Sequence, residues 1–395
     1  ADSRAMVFLN QSGSFRRAVD WEQSFGALGQ VTSAVFVDMD EDGDADLLVS
    51  RDLGAIGLYH NRGDRFVDVS EAFGMLEFVG LWQGLAVGDF DNDGRVDFAA
   101  GNLGRNSPME LYPDGLVHLG RGGESRLSLY TVKRGSVHLP VDDMDLYANV
   151  VDRARLPAMY RQFSDIDLAK VLDSFDGLRS TRLNCFEASV FLNRGGKFER
   201  RALPYLAQFS PTSGINVADF DNDGREDLLL SQNLYSLRPD WGRLDSSAGM
   251  ILLGQGDGRF EPVRAGVSGL AILGDSRNAS VVDFNRDGRT DIVATQTFGE
   301  TQVYLGQAGK AGIRVGFSAN NSLAQRLSAR VRLIYPDGSM SPRRWFHSGD
   351  GVMAQCAPEQ VLGFVQRPQS LQIEWSNGTI KAIPVELDKN DYEVQ

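Results

Sequence analysis

The chain has 395 residues, of which 42% are hydrophobic and 24% charged, as is typical of a soluble globular protein. Its formal net charge is −13, which disfavours nucleic acid and anionic membranes as partners because both attract basic surfaces. No apolar run reaches the roughly 18 residues that a membrane span needs. Residues 1–4 lack the apolar core of a signal peptide, so an export signal would have been removed or would lie outside this sequence.

The first predicted element is a β-hairpin at residues 6–15, where an Asn- and Gly-containing turn precedes a phenylalanine. Asn and Gly tolerate the positive φ angles that tight hairpin turns require. Similar segments recur at residues 57–66, 190–198 and 251–260. The N-terminal copy has no preceding hairpin, so we interpret it as half of a repeat whose other strands lie upstream or in a neighbouring subunit.

An acidic nine-residue motif, D-x-[DN]-x-D-G-x-x-D, occurs four times and organises the chain. Its copies begin at Asp38, Asp89, Asp219 and Asp283, so the spacings are 51, 130 and 64 residues. Short apolar runs flank each copy and predict strands on both sides. Because the middle spacing is about twice the others, we interpret it as containing one repeat that lost its acidic loop.

One repeat therefore comprises two hairpins, and four antiparallel strands per repeat are typical of a β-propeller blade. Residues 128–139 form a hairpin without acidic ligands and are assigned to the degenerate blade. An insertion at about 141–185 contains a predicted helix between Ser164, as N-cap, and Gly177. It is interpreted as a surface decoration or, alternatively, as a partner-binding element. This reasoning gives five full blades and an N-terminal half blade within residues 1–310.

The acidic loops are predicted calcium sites because Ca²⁺ takes six to eight oxygen ligands and a glycine at position 6 turns the backbone sharply. Side chains at positions 1, 3, 5 and 9 supply carboxylate or amide oxygens, and the residue at position 7 supplies a carbonyl oxygen. The candidate ligands are Asp38, Asp40, Asp42, Asp44 and Asp46; Asp89, Asp91, Asp93, Arg95 and Asp97; Asp219, Asp221, Asp223, Arg225 and Asp227; and Asp283, Asn285, Asp287, Arg289 and Asp291. About four structural Ca²⁺ ions are expected, with the weakest binding in the fourth loop, where Asn285 replaces an aspartate.

Three alternatives to calcium-binding turns were weighed. An EF-hand needs helical flanks and a glutamate at position 12, where this chain has Val49, Ala100, Leu230 and Ala294. Acidic turns without any ion would suffer strong repulsion between crowded carboxylates. Mg²⁺ prefers rigid octahedral sites that retain several waters. Met39, Phe90, Phe220 and Phe284 at position 2 are predicted to pack between blades, because strand alternation turns them away from the metal.

These loops and their flanks resemble FG-GAP (VCBS) repeats, the calcium-binding blades of integrin α-chain propellers. Segments 329–338, 348–355, 361–364 and 371–378 resemble the ASPIC/UnbV domain of cartilage acidic protein and its bacterial exported relatives. This resemblance implies an exported protein with a binding role. In residues 311–395, alternating apolar residues such as Ile313, Val315 and Phe317 predict a small β-sandwich or barrel. The expected fold is all-β: a propeller with calcium loops and a helical insertion, followed by this domain.

The functional prediction is a secreted or cell-surface, calcium-binding scaffold or adhesion module that binds protein or glycan without catalysis. It would lie in the extracellular space, the periplasm or on the outer cell surface. The four histidines form no metal-ligand pair at i+3 or i+4 spacing, and no hydrolase, P-loop or Rossmann motif is present. The alternatives are a polysaccharide-active enzyme, since paired carboxylates could hydrolyse glycosides, and a subunit of a larger surface assembly.

Overall fold

The computed structural model describes residues 5–26, 28–106, 116–121, 128–134, 137–140, 156–157, 162, 166–168, 178–235, 243–297, 299–307, 309–318, 329–347, 359–375 and 377–394. Nearly all regular structure in these residues is antiparallel β-sheet, as predicted. None of the described helices is long and apolar enough to cross a membrane. The predicted helix between Ser164 and Gly177 falls almost wholly outside the described residues.

The N-terminal part forms a hairpin and then a five-stranded sheet. The hairpin is β1 (Phe8–Gln11) and β2 (Ser14–Arg17), followed by α1 (Val19–Glu22) and a 3-10 turn (Gln23–Phe25). The sheet contains β3 (Gln30–Val37), β4 (Asp46–Ala55), β5 (Gly57–Asn61) and β6 (Phe66–Asp68), and β7 (Val79–Leu81), which follows a 3-10 turn at Met75–Glu77, pairs with β4. The first acidic loop joins β3 to β4, so it lies at one end of this sheet.

The second acidic loop belongs to a sheet whose strands are far apart in sequence. The strands are β8 (Leu85–Gly88), β9 (Asp97–Ala100), β14 (Ser189–Asn193) and β15 (Phe198–Ala202). Between β9 and β14 the chain forms a separate four-stranded sheet from β10 (Leu116–Arg121), β11 (Ser128–Arg134), β12 (Val137–Pro140) and β13 (Leu178–Leu183), in the order β12-β11-β10-β13.

The interpretation of a lost repeat is therefore wrong. Residues 128–139 do form a hairpin, but it pairs with β10, which in turn pairs with β13, whereas β14 pairs with β9 through Phe191 and Phe98. The long spacing thus arises from a sheet inserted into the second blade, between its inner and outer hairpins, and the insertion extends beyond the predicted 141–185. The outer hairpin therefore belongs to the second blade and not to an additional one. The count of five full blades stays a prediction.

The third and fourth acidic loops join the first two strands of two further sheets. The third sheet follows a 3-10 turn (Tyr205–Phe209) and contains β16 (Thr212–Ala218), β17 (Asp227–Gln232), β18 (Met250–Gly254) and β19 (Phe260–Pro262). The fourth follows α2 (Ala265–Ser268) and contains β20 (Asp275–Val282), β21 (Asp291–Thr297) and β22 (Gln302–Tyr304). The first strands β3, β8, β16 and β20 lie beside one another in succession, as the innermost strands of a β-propeller do.

Apolar side chains fill the spaces between these sheets. Phe98 of the second sheet packs in one cluster with Val35 and Leu48 of the first. Within the second sheet, its ring stacks on that of Phe191 with centroids 4.6 Å apart, an arrangement that contributes about 0.5–1.5 kcal/mol beyond area burial.

The predicted packing role of position 2 is confirmed for Met39 and Phe90, which are buried in inter-sheet clusters. It is wrong for Phe284, whose side chain is 70% exposed because the fourth loop is the last of the series.

The C-terminal part is a β-sandwich, as predicted. One sheet contains β23 (Ile313–Phe317), β26 (Glu359–Leu362) and β29 (Asp391–Val394). The other contains β24 (Arg330–Ile334), β25 (Arg344–Trp345), β27 (Ser370–Glu374) and β28 (Ile380–Pro384). Ile313 and Val315 of the first sheet share a core with Val331 and Leu333 of the second. The domain boundary at residue 310 stays a prediction.

Candidate metal sites

All four acidic loops adopt the same backbone conformation. The glycine at position 6 has a left-handed φ of 95°, 85°, 95° and 77° at Gly43, Gly94, Gly224 and Gly288, as the motif predicts. Position 4 is also left-handed in every loop, with φ near 60° at Glu41, Asn92, Asn222 and Arg286. Two left-handed residues in one short loop fold its first and third side chains towards each other.

The aspartate at position 1 is buried in every loop, with 1–4% of Asp38, Asp89, Asp219 and Asp283 exposed. In each, Oδ2 accepts a hydrogen bond from the N–H group of the position-6 glycine, at 3.2, 3.1, 2.9 and 3.0 Å respectively. These bonds fix the carboxylate against the turn. The second oxygen of Asp38, Oδ1, has no hydrogen-bond partner among the described residues, as expected of an oxygen reserved for an ion.

The aspartate at position 9 connects each loop to the third strand of its sheet. Oδ2 of Asp97 accepts the N–H of Phe90 at 3.0 Å, and Oδ1 accepts the N–H of Asn193 at 2.7 Å. The same pair of bonds recurs at Asp46, Asp227 and Asp291. Position 9 therefore has a structural role in the sheet in addition to its predicted role as a ligand.

Burial makes the charged form of these carboxyl groups unfavourable in the ion-free protein. It raises the pKa of Asp46 to about 7 and that of Asp97 and Asp227 to about 8. The pKa values of Asp89 and Asp219 rise to about 6, again chiefly through burial. A buried carboxylate is stabilised when a cation lies beside it, so the loops have the electrostatics of cation sites.

Three of the loops bring carboxylate oxygens within 4.8 Å of one another, a spacing at which they could share an ion. The groups are Asp38, Asp40 and Asp42 in the first loop, Asp89, Asp91 and Asp97 in the second, and Asp219, Asp221 and Asp227 in the third. Each group offers only oxygen ligands, as Ca²⁺ prefers. The predicted ligands Asp93 and Asp223 at position 5 instead pair with Arg95 and Arg225 of their own loops.

The fourth loop is less complete. Within the part of the chain that the structure describes, Asp283, Asp287 and Asp291 do not converge as a three-carboxylate group. Asn285 occupies position 3 and donates a hydrogen bond from Nδ2 to Oδ2 of Asp287 at 3.1 Å. Weaker calcium binding in this loop remains the prediction.

Replacing Asn285 by Asp is expected to strengthen calcium binding at the fourth loop by about tenfold, because it restores the charge at position 3. Isothermal titration of the Asn285→Asp variant checks this result. The matched control is Asn92→Asp, which adds the same charge at position 4 of the second loop, outside the ligand positions. Equal calcium affinities of the variant and the parent protein would contradict the assignment of position 3 as a ligand position.

Arginines of the C-terminal sandwich reach the acidic loops. Arg330 of β24 pairs with Asp38 of the first loop, and both side chains are less than a tenth exposed. Arg344 of β25 is 2.8 Å from Glu226 of the third loop and donates a 3.1 Å hydrogen bond to the carbonyl of Gly224. The sandwich thus covers the ends of the sheets that carry the first and third loops.

Between the second loop and the sandwich lies a cavity of about 550 Å³. Glu41, Asp93, Arg95, Arg332 and Arg343 give it a charged lining. The Nε atom of Arg332 is buried and lacks a hydrogen-bond partner among the described residues. The cavity is therefore lined by side chains of both charges, as a site for a polar ligand would be.

A sequence model of the FG-GAP-like repeat matches residues 38–100, the segment from the first acidic loop to the end of β9. The chain therefore contains an FG-GAP-like repeat. It is 24% identical to cartilage acidic protein 1 of Xenopus tropicalis over 205 residues, which are 49% of this chain and 28% of that protein. It is 28% identical to the human protein of the same name over 208 residues, 49% of this chain and 27% of that protein. The chain thus matches under a third of the length of either relative.

Sequence reasoning missed several residues that shape these candidate metal sites. Glu226 could have been found, because it stands at position 8, where the other loops have the uncharged Ala45, Val96 and Thr290. Arg330 and Arg344 could not, since their partners are more than 100 residues away and no local pattern marks them.

Proposed function

We propose that this protein is a calcium-stabilised, non-catalytic scaffold that binds protein or glycan outside the cell. The observation that carries the proposal is the convergence of carboxylate oxygens in three acidic loops, together with the burial of the position-1 aspartate in all four. Four divalent cations, one in each loop, would change the formal net charge from −13 to −5. Such ions would offset both the burial and the mutual repulsion of the carboxylates.

The proposed ligand set for Ca²⁺ comprises the side chains at positions 1, 3, 5 and 9 and the carbonyl at position 7. In the second loop, these are Asp89, Asp91, Asp93, Asp97 and the carbonyl of Arg95. The backbone N–H of Arg95 donates to Oδ1 of Asp93 at 2.9 Å, which holds position 5 beside position 7. An all-oxygen set on a flexible loop suits Ca²⁺ better than Mg²⁺.

In this proposal the acidic loops stabilise the fold, and the protein or glycan partner binds to other parts of the surface. Because Arg330 and Arg344 of the sandwich cover the first and third loops, a large partner has little access to them. The cavity beside the second loop remains open to a small polar group, and its lining of arginines and carboxylates suits a glycan or an acidic peptide side chain. The absence of a catalytic role is part of the same proposal.

The proposed location is extracellular, periplasmic or on the outer cell surface. The name of the relatives associates them with cartilage, a tissue rich in extracellular matrix. Extracellular fluid also supplies the free calcium that modest-affinity loops need. A larger surface assembly is compatible with this role, because a scaffold binds several partners.

Binding of the calcium-loaded protein to arrays of glycans and immobilised extracellular proteins tests the proposal. We expect retention on some array members without any product released from them. Replacing Arg332 by Ala should reduce that retention severalfold, because it removes one of the positive charges that line the cavity. Arg259→Ala, at a side chain 79% exposed on the third sheet, is the matched control. Release of sugar from any polysaccharide would show an enzyme instead.

A further inference from the structure

The first acidic loop differs from the others at one residue of the neighbouring strand. His60 of β5 directly precedes Asn61, whose N–H group donates to Asp46 at position 9. The residues that hold the same register beside the second, third and fourth loops are Leu192, Leu253 and Leu305. The first loop therefore has an imidazole where the others have an aliphatic side chain.

The imidazole of His60 is directed into the first loop. The residue is 5% exposed, and Nδ1 lies 3.3 Å from Oδ2 of Asp40. Ligand atoms of Asp40, Asp46 and His60 all lie within 4.8 Å of one another. Nε2 is buried without a hydrogen-bond partner among the described residues. Two carboxylates and one imidazole thus converge on a single point, with Asp46 and His60 buried and Asp40 open to solvent.

The guanidinium group of Arg62 lies beside these ligand atoms, so the point already attracts a cation. Nη2 of Arg62 is 2.9 Å from Nδ1 of His60, and Nη1 is 3.5 Å from Oδ2 of Asp40 and 3.4 Å from Oδ2 of Asp42. Because a guanidinium only donates hydrogen bonds, Nδ1 must present its lone pair to the site. Arg62 is 45% exposed, so its side chain can leave the loop when a metal ion enters.

The position-1 carboxylate of the first loop is already paired with a buried cation. Oδ2 of Asp38 accepts a hydrogen bond from the buried guanidinium of Arg330. Among the described residues, the corresponding Asp89 and Asp283 accept hydrogen bonds only from backbone N–H groups of their own loops. The charge of one carboxylate in the first loop is therefore offset by an arginine, and one nitrogen ligand is gained. Both changes lower the preference for Ca²⁺, which takes oxygen ligands, and favour a transition metal, which also binds imidazole.

We propose that the first acidic loop is a site for a divalent transition-metal ion, held by Asp40, Asp46 and Nδ1 of His60, whereas the other three loops bind Ca²⁺. This inference rests on the proposed function in so far as both require the loops to bind cations.

The proposal is tested by titrating the chelator-stripped full chain with Co²⁺ in excess Ca²⁺. Visible absorption and native mass spectrometry measure the binding. We expect one Co²⁺ per chain, with absorption bands that report a nitrogen ligand. His60→Leu, which installs the residue found beside the other loops, should weaken Co²⁺ binding by at least about tenfold. Arg62→Gln should strengthen it, since it removes the competing cation and installs the residue found at 255 and 307.

Equal Co²⁺ binding by the parent chain and both variants would overturn the inference, as would the absence of bound Co²⁺ in excess Ca²⁺. A calcium titration of the same proteins separates the two proposals. If Ca²⁺ stabilises the parent chain but Co²⁺ does not bind through His60, only this inference fails. If Ca²⁺ binds to neither the parent chain nor the variants, the proposed function fails. Asp283→Asn in the fourth loop is the matched control and should leave Co²⁺ binding unchanged.

Discussion

Removal of calcium is expected to lower the melting temperature of this protein by about 10 °C or more. A ligand that binds only the folded state at 100 times its Kd contributes about 2.7 kcal/mol per site. For folded domains of 150–250 residues, about 1 kcal/mol shifts the Tm by roughly 2–4 °C. Several sites together should therefore produce a large shift. Thermal unfolding followed by circular dichroism, with and without EDTA, measures it.

Two controls make the chelation experiment specific. Restoring Ca²⁺ should recover the full Tm, whereas the same concentration of Mg²⁺ should recover less, because Mg²⁺ fits a multidentate flexible loop poorly. The double variant Asp89→Asn/Asp219→Asn should show a smaller response to EDTA, since each substitution removes a buried carboxylate at position 1. A Tm that is the same with and without EDTA would show that the ions do not stabilise the fold.

Replacement of Arg344 by Met is expected to lower the free energy of unfolding by about 3–5 kcal/mol, because it leaves Glu226 charged and buried without its cation. Glu226 lies 2.8 Å from Arg344 and also accepts the backbone N–H of Asp89 in the second sheet. The network thus joins the sandwich to two propeller sheets. Urea unfolding of the variant should show the sandwich separating in an earlier transition.

A double-mutant cycle distinguishes a lost ion pair from lost packing. The double variant Arg344→Met/Glu226→Leu should recover most of the stability, since apolar residues of similar volume often replace a buried ion pair without loss. Arg343→Ala is the matched control: Arg343 pairs with the 40%-exposed Glu41 at 3.0 Å, and such pairs contribute about 1 kcal/mol or less. If Arg344→Met and Arg343→Ala destabilise equally, the buried network has no special role.

The acidic loops and their hairpins could be predicted because their determinants are local. A glycine at position 6, an aspartate at position 9 and an apolar run specify the turn and the strand within a few residues, and all four loops follow this pattern. The C-terminal sandwich was predictable for the same reason, since Ile313 and Val315 alternate into its core.

The rest of the fold and of the candidate sites depends on contacts between residues that are far apart in the sequence. The pairing of β14 with β9 joins residues about 90 positions apart, and the same 130-residue spacing suited either a lost repeat or an inserted sheet. The ion pair of Arg330 with Asp38 spans 292 residues. His60 lies next to Asp40 only because β5 pairs with β4, so a search for histidine pairs in the sequence missed it.

Native mass spectrometry of the chelator-stripped chain, titrated with Ca²⁺ alone, tests the central claim most directly. We expect saturation at three Ca²⁺ ions, in the second, third and fourth loops, with one ion lost in each of the Asp89→Asn, Asp219→Asn and Asp283→Asn variants. Binding of no Ca²⁺, or a number of bound ions that none of these substitutions changes, would contradict the assignment of the acidic loops as calcium sites.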